Sequence, residues 1–170
     1  TNSMKASYEL KQYTEAVAYA EKVLANSRID NTIKSDAQVI IARSAMQTGN
    51  EEKAKAAYIE VSKISSGKLA AEALYYEAYF KNKEGEFAAS NDTIQVLAKD
   101  FSGYKFYGAK SLVLMAQNFY ALGDAFQDSY ILESVIANFK DYPDVVEEAK
   151  VDLAAIKATE AKTNSSIETD

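Results

Sequence analysis

The sequence predicts an all-α fold in which antiparallel helix pairs stack on one another, and three observations predict it. Helix breakers are rare, since the 170 residues include one proline and six glycines, and such a composition favours long uninterrupted helices. Small residues return at steps of 36 to 38 residues along the chain, as the columns of an internal repeat do. Apolar residues between these columns keep the i, i+3, i+4, i+7 spacing of one helix face.

Three columns of small residues set the register of the repeat. A glycine in such a column can take a positive φ and end the first helix of its unit. Small residues in the other two columns let neighbouring helices approach closely. The columns are Gly49, Gly85 and Gly123; Ala37, Ala73, Ser111 and Ala149; and Ala42, Ala78, Ala116 and Ala154. The chain therefore divides into helix-pair units near residues 1–34, 35–70, 71–108 and 109–143.

The first unit shows the helical pattern in its second helix. Its apolar stripe consists of Tyr13, Ala16, Val17, Ala20 and Leu24. Thr1 falls partway into the first helix of this unit, so the unit is expected to be open and to leave apolar surface bare.

The three following units carry signals for the start of their second helices. Asn50 and Asp124 follow column glycines, where an N-cap residue is expected because its side chain can accept a free amide. In the third unit Phe87 stands where the first unit has Tyr13. Each unit therefore reads as a helix, a glycine turn and a second helix.

A last helix is expected to cover the fourth unit. Asp144 and Glu147, after Pro143, have the spacing of a capping box. We expect Val151, Ala154 and Ala155 to face the fourth unit. The prediction is one repeat domain over residues 1–162, closed by a capping helix at 144–162, followed by a disordered tail at 163–170.

Composition disfavours several classes of function. The formal net charge of −6 and a pI near 4.8 repel nucleic acid. The absence of cysteine and histidine removes thiol nucleophiles, the commonest general base and the commonest transition-metal ligand. No apolar stretch approaches the roughly 20 residues of a membrane span. The chain is thus predicted to have no catalytic, metal or cofactor site, to bind no nucleic acid and to insert in no membrane.

The repeat resembles the tetratricopeptide repeat (TPR) family. The matching stretches are AEAL at Ala71, GEF at Gly85, AKSLVLMA at Ala109, GDA at Gly123 and EEAKVDLA at Glu147. The family has small residues at the eighth and twentieth positions of its unit, and the resemblance covers about residues 4–160. The sequence departs from the family in its longer units, in lacking tryptophan, and in Ser90 and Asp128, which replace the usual alanine of the second helix. The resemblance implies a right-handed α-α superhelix of antiparallel helix pairs.

The resemblance also implies a binding surface on the concave face, formed by the first helix of each unit. The residues that it assigns there are Tyr8, Val39, Arg43, Met46, Tyr75, Tyr79, Asn82, Val113, Gln117 and Tyr120. Tyrosine combines a large apolar area with a polar tip, which suits a binding groove. For Tyr75 and Tyr79, packing between units is an equally open interpretation. The clamp with which some family members hold a C-terminal carboxylate is not matched, because Arg43 is the only arginine of this set.

The leading prediction is a scaffold that binds a protein or peptide on its concave face. The alternative is structural: the terminal segment of a longer TPR array, which self-associates or stacks on upstream repeats. The long loops and the sequence NFKDYP at 138–143 resemble TPR proteins of the bacterial envelope, including outer-membrane-assembly lipoproteins and cell-division coordinators. That resemblance favours a periplasmic or envelope setting, with the cytoplasm as the alternative.

Overall fold

The computed structural model describes residues 2–169, with side chains through residue 166, and this part of the chain is helical without any strand. The all-α prediction is confirmed. The helices are α1 (Asn2–Glu9), α2 (Tyr13–Leu24), α3 (Asn31–Gln47), α4 (Glu51–Ile64), α5 (Gly67–Lys83), α6 (Phe87–Asp100), α7 (Lys105–Ala121), α8 (Ala125–Asn138) and α9 (Pro143–Thr169). None of the described helices is long and apolar enough to cross a membrane.

The predicted glycine turns are confirmed. Gly49, Gly85 and Gly123 have φ values of 78°, 81° and 87°. After each glycine, the amide of the next residue donates to the carbonyl five positions back, over 2.8 Å in all three turns. This bond is the signature of a Schellman motif, which satisfies carbonyls at a helix end. The glycines are needed for their backbone, because an added Cβ would meet nothing within 4 Å.

The turn between α1 and α2 has the same geometry without a glycine. Lys11 has a φ of 62°, and the Gln12 amide donates to the Ser7 carbonyl over 2.8 Å. Lys11 thus holds the left-handed conformation that the other three turns assign to glycine, at a cost that a Cβ atom imposes.

The predicted N-caps of α4 and α8 are also present. The Asn50 side chain accepts the Lys53 amide at 3.2 Å, and the Asp124 side chain accepts the Gln127 amide at 3.0 Å. Asp30 caps α3 in the same way, through the Ile33 amide at 2.9 Å. Each bond satisfies an amide that the first turn of a helix leaves free.

The last helix differs from its prediction in its start and in its buried face. The helix α9 begins at Pro143, so Asp144 lies in the first turn rather than at the N-cap. Proline is well suited to the first position of a helix. Val151 and Ala154 are exposed, so the expectation that they face the fourth unit is wrong, whereas Ala155, also exposed, lines a cavity between α9 and that unit. The buried residues are Val145, Ala149, Leu153 and Ile156. This stripe carries two large aliphatic side chains that the alternative face lacks, so burying it removes more apolar surface from water.

The end of α9 also differs from its prediction, which places the end of the helix near Lys162 and a disordered tail after it. The helix continues to Thr169, while Asp170 lies outside the described residues. Residues 163–166 are helical with exposed side chains. No glycine or proline follows Pro143, so nothing in the local sequence ends the helix earlier.

Distinct from the four predicted repeat units, the chain divides into two larger compact units after Glu77, within α5. Below, the first unit and the second unit are these two. In the first unit, α3 packs against α1, α2 and α4. Its core is formed mainly by Met4, Ala16, Ala20, Ala37, Val39, Ile40, Ile41, Ala42, Ala45, Ala54, Ala57, Tyr58 and Val61. The alanines of the predicted columns are among them, which is what close approach of neighbouring helices requires.

In the second unit, α7 packs against α6, α8 and α9, and α8 also packs against α9. The core between α7, α8 and α9 consists of Ala109, Val113, Ala116, Leu132, Val135, Val145, Ala149, Leu153 and Ile156. Leu112, Ile131, Ile136, Phe139 and Tyr142 pack on its margin. This core holds the three helices in place around the candidate site described below.

Candidate functional site

In the first unit, the predicted residue Arg43, whose side chain is 32 % exposed, pairs with a buried carboxylate. The guanidinium of Arg43 donates to both carboxylate oxygens of Glu72, from Nε at 2.9 Å and from Nη2 at 2.6 Å. The Tyr58 hydroxyl donates to Oε2 of Glu72 at 2.8 Å. Glu72 is only 2 % exposed, so these donors offset the cost of burying its charge. Arg43 is therefore engaged inside the fold.

A group of tyrosines surrounds this ion pair. The rings of Tyr58 and Tyr76 stack with centroids 4.3 Å apart, and Tyr75 meets Tyr76 edge-on at 5.0 Å. Burial raises the pKa of the Tyr58 hydroxyl well above its usual range, and the Glu72 charge raises it further. Burial likewise raises the pKa of Tyr76 and of Tyr8. These hydroxyls stay neutral at physiological pH, and that of Tyr58 donates to Glu72.

The other predicted residues of the first unit are largely enclosed. Val39 is 4 % exposed and Tyr75 is 6 % exposed. Met46 and Tyr8 are half-buried, and the Tyr8 ring lies 5.8 Å from that of Tyr13. Of the two interpretations left open for Tyr75, the structure favours packing. Contact of Val39 or Tyr75 with a partner would require rearrangement of the unit.

In the second unit, Asn82 belongs to a polar network between helices. Asn82 donates to Asn118 at 2.8 Å, and Asn118 donates to the Ser90 hydroxyl at 2.8 Å and to Asn91 at 2.9 Å. The Ser90 hydroxyl in turn donates to the Ala78 carbonyl at 2.7 Å. Asn118 and Ser90 are fully buried, and the network satisfies them as buried polar groups require. Asn82 therefore contributes to packing.

Two predicted residues are exposed beside a cavity between α7, α8 and α9. Gln117 is exposed, and Tyr120 is 41 % exposed. The cavity measures about 250 Å³ and is lined by Gln117, Tyr120, Asp128, Asp152, Ala155, Ile156 and Thr159. The Gln117 amide donates to Asp152 at 3.0 Å, which ties α7 to α9 at the edge of the cavity. Val113, one helical turn before Gln117, is 1 % exposed and belongs to the core below.

The remaining predicted residue, Tyr79, is half-buried. Its ring meets Phe80 edge-on at 5.2 Å, and the Lys83 ammonium lies 5.3 Å from its centroid. This ammonium lies within the range of a cation–π interaction. Tyr79 does not line the cavity at Gln117 and Tyr120. The structure therefore brings together two of the ten predicted residues at one solvent-accessible site.

The unusual group in this cavity is the Asp128 carboxyl. Asp128 is 2 % exposed, and its Oδ1 has no hydrogen-bond partner among the described residues. A buried, unpaired carboxylate costs several kcal/mol, and native structures contain few such groups. Burial raises the pKa of Asp128 to about 6, with the Asp152 charge as the second cause. Burial and Asp152 also raise the pKa of Glu148, which Lys110 lowers.

Sequence reasoning missed Asp128 as a site residue, although one signal was available. Asp128 stands in the alanine column of the second helices, after Ala54 and Ser90. The other residues of this column are small. A carboxylate at such a position needs a hydrogen-bond or ionic partner, either within the protein or from a bound molecule. Asp152 carried no comparable signal, because its proximity to Asp128 depends on the packing of α9 on α8.

A second, larger cavity of about 730 Å³ lies elsewhere in the second unit. Its wall is mainly apolar and comes from α6, α7 and the segment after α8, with Leu97, Leu112 and Met115 among its residues. None of the ten predicted binding residues lines it. Within the described part of the chain, no group of three or more acidic side chains is placed to hold a metal ion.

No protein-family model, no curated protein and no solved structure matches this chain. The chemistry of the cavity between α7, α8 and α9 is therefore the guide to function.

Proposed function

We propose that this chain is a TPR-like protein-interaction module that binds a segment of a partner polypeptide beside the cavity between α7, α8 and α9. The observation that carries the proposal is the exposure of Gln117 and Tyr120 at this cavity. The proposed repeat is a right-handed stack of helix pairs. The contacts of α3 with α1, and of α7 with α9, support it, because first helices of successive units touch in such stacks.

The composition of the site supports binding over catalysis. An exposed tyrosine provides a large contact area at low entropic cost, and such residues are enriched at binding hot spots. The neighbouring Gln117 amide, with Thr159 on α9, offers hydrogen bonds at the margin of the site. The chain has no histidine or cysteine to act as base or nucleophile.

The proposal is tested by selecting displayed random peptides on the full chain and measuring their binding by fluorescence anisotropy. Replacing Tyr120 by Ala should weaken a selected peptide about tenfold or more, as removal of a hot-spot ring does. Tyr19→Ala is the matched control, because Tyr19 is 40 % exposed against 41 % for Tyr120 and lies on α2.

Tyr75 is unsuitable for this test because it is buried and its loss would disturb the fold. Equal effects of Tyr120→Ala and Tyr19→Ala, with both variants as helical as the wild type, would place the binding surface elsewhere. Failure to select any peptide would count against a peptide-binding module altogether.

A second candidate function is self-association, and the outer side of α8 favours it. Phe126 and Tyr130 lie one helical turn apart and are 78 % and 64 % exposed, and Leu122 in the preceding turn is 52 % exposed. Exposed apolar rows of this kind often mark contacts between proteins. Sedimentation over a wide concentration range distinguishes the two candidates. A monomer at every concentration contradicts self-association, whereas an oligomer that Phe126→Ser and Tyr130→Ser dissolve supports it.

A further inference from the structure

Two carboxylates are buried in the described part of the chain, and they differ in their hydrogen-bond partners. Glu72 and Asp128 are both 2 % exposed. Glu72 receives two hydrogen bonds from a guanidinium and one from a tyrosine hydroxyl. Asp128 has an oxygen without a hydrogen-bond partner among the described residues. A buried carboxylate is normally matched by a cationic or strong donor group, so Asp128 lacks the kind of partner that Glu72 has.

The repeat itself shows where the missing donor would stand. Asp128 on α8 occupies the place that Ser90 holds on α6, 38 residues earlier. The donor to Ser90 is Asn118 of α7, at 2.8 Å. The residue 38 positions after Asn118 is Ile156 of α9, which lines the cavity together with Asp128. One helix pair satisfies its buried polar group internally, and the next replaces the donor by an aliphatic side chain.

The same substitution accompanies a cavity beside Asp128. Asn82, which completes the earlier network, corresponds to Tyr120 at 38 residues' distance, and Tyr120 is exposed at the cavity. Asp152 adds a second carboxylate to the wall, whereas Tyr120, Ala155 and Ile156 supply apolar surface. No lysine or arginine lines the cavity among the described residues. Its chemistry is therefore acidic at Asp128 and Asp152 and apolar on the remaining wall.

We propose that this cavity is a specificity pocket for one basic side chain, lysine or arginine, of the partner polypeptide. The ammonium or guanidinium group pairs with Asp128 and Asp152, and the methylene stem packs on Tyr120, Ala155 and Ile156. The inference rests on the proposed function and names the chemistry that the binding surface selects. A volume of about 250 Å³ suits a single side chain, since pockets for drug-sized ligands measure roughly 300–1,000 Å³.

The composition of the wall favours a basic side chain over a metal ion. A calcium site draws on six to eight oxygen ligands, and no cluster of three acidic residues is available for a metal in the described part of the chain. An amphipathic cation matches both the carboxylates and the apolar wall, because its stem removes apolar surface from water while its head is paired.

The test uses the full chain and two uncharged-end tripeptides, acetyl-Gly-Lys-Gly-amide and its norleucine counterpart. Side-chain carboxyl signals of Asp128 and Asp152 are followed by carbon-13 NMR during titration with each tripeptide. The lysine tripeptide should shift both signals saturably, in the millimolar range expected of one side chain, and the arginine tripeptide should do the same. Norleucine, with a similar stem and no charge, should leave both signals unchanged.

Two variants and a matched control locate the effect. Asp128→Asn removes the charge with little change in shape, and Ile156→Asn restores the internal donor that the preceding helix pair uses. Each of these two variants should weaken the apparent affinity for the lysine tripeptide at least tenfold. Glu133→Gln, an exposed change of the same charge on α8, should leave the response unchanged. Asp128→Asn keeps the test valid if Ile156→Asn impairs folding.

Several outcomes would overturn the inference. Equal shifts with lysine and norleucine would show that charge is not recognised, and saturation by Ca²⁺ at lower concentration than by lysine would assign the pocket to a metal ion. Selected peptides that depend on Tyr120 but contain no required basic residue would leave the proposed function standing and remove the inference. Failure to select peptides would instead remove the proposed function, while the tripeptide titration still reports the chemistry of the pocket.

Discussion

At the scale of single residues, Glu72 and Asp128 show that one fold can hydrogen-bond one buried carboxylate fully and leave an oxygen of another without a partner. The Glu72 charge is paired with Arg43 and accepts a hydrogen bond from Tyr58 within the first unit. Asp128 remains beside a cavity, with a raised pKa and with Asp152 as its acidic neighbour. Retaining such a group lowers stability, and the basic side chain that we propose for the pocket would pair with it.

Replacement of Asp128 by Asn should therefore stabilise the protein at neutral pH. The pKa of Asp128 in the fold is about 6, against the ordinary value of 3.8 for an aspartate carboxyl. The unfolded chain therefore releases the proton first, and wild-type stability falls as pH rises between these values. Above pH 6 the advantage of Asn should reach about 1–2 kcal/mol after screening by solvent in the cavity. It should shrink to a few tenths of a kcal/mol at about pH 3.5, because the folded chain is then protonated and the unfolded chain mostly so.

The measurement is urea unfolding of both proteins from pH 3.5 to 8. The other charged groups near the site, Asp152, Glu148 and Lys110, are common to both proteins and largely cancel in the difference. A difference in the free energy of unfolding that does not vary across this range would show that Asp128 titrates normally in the fold.

Lys11 is a second residue whose backbone differs from what its side chain prefers. It has a φ of 62°, in the place that glycine holds in the three other turns. Lys11→Gly should raise the free energy of unfolding by about 0.5–1 kcal/mol, because relief of the left-handed strain exceeds the entropy that glycine loses. Lys11→Ala is the control and should show no gain, since alanine retains Cβ. A gain with alanine equal to that with glycine would implicate the lysine charge instead. Thermal unfolding followed by circular dichroism measures both.

At the scale of elements, α9 shows that a helix can be predicted while its buried face is not. Val145, Ala149, Leu153 and Ile156 face the core, and Val151 is 60 % exposed. The buried stripe joins the core between α7 and α8, and it also carries Ile156 to the wall of the cavity. The orientation of α9 therefore determines both the stability of the second unit and the shape of its site.

Two substitutions on α9 separate these faces. Leu153→Ala should lower the free energy of unfolding by about 2–3 kcal/mol, because Leu153 is 9 % exposed and its truncation leaves a cavity. Val151→Ala, two residues earlier on the exposed face, should change it by no more than about 0.5 kcal/mol. Chemical denaturation of the two variants compares them directly, and similar losses would contradict the orientation of α9.

At the scale of the whole molecule, the net charge of −6 complements the basic partner proposed for the pocket. Opposite charge accelerates encounter between proteins, and salt screens this attraction over roughly 10 Å at 0.1 M. The net negative charge thus favours basic peptides before any specific contact forms, and the proposed pocket at Asp128 and Asp152 would select among them.

The association rate of a basic peptide should consequently fall about tenfold from low salt to 0.5 M salt, whereas its dissociation rate should change little. Stopped-flow fluorescence with a selected, labelled peptide measures both rates. A peptide of equal length without basic residues serves as the control and should associate at a rate nearly independent of salt. A salt effect confined to dissociation would argue that the charges act within the complex and not during the encounter.

Much of the fold was predictable from the sequence because its signals are local. Few breakers, small residues at 36 to 38 residue steps and turn glycines determine where helices begin and end, since propensity, capping and φ preference depend on neighbours in the chain. Gly49, Gly85 and Gly123 adopt the predicted conformation. The assignment of Gln117 and Tyr120 to one helix face came from the family resemblance and not from these local signals.

The candidate site depended on information that the sequence does not carry locally. Arg43 is engaged by a carboxylate 29 residues away, and Tyr75 is buried, because side chains on different helices compete for the same space and charge. Asp128 becomes a site residue only through Asp152, whose position follows from how α9 packs. By itself the sequence determined that the chain is helical and where its turns lie. Only the tertiary structure decided which side chains meet, because burial and pairing are set by helix rotation and packing.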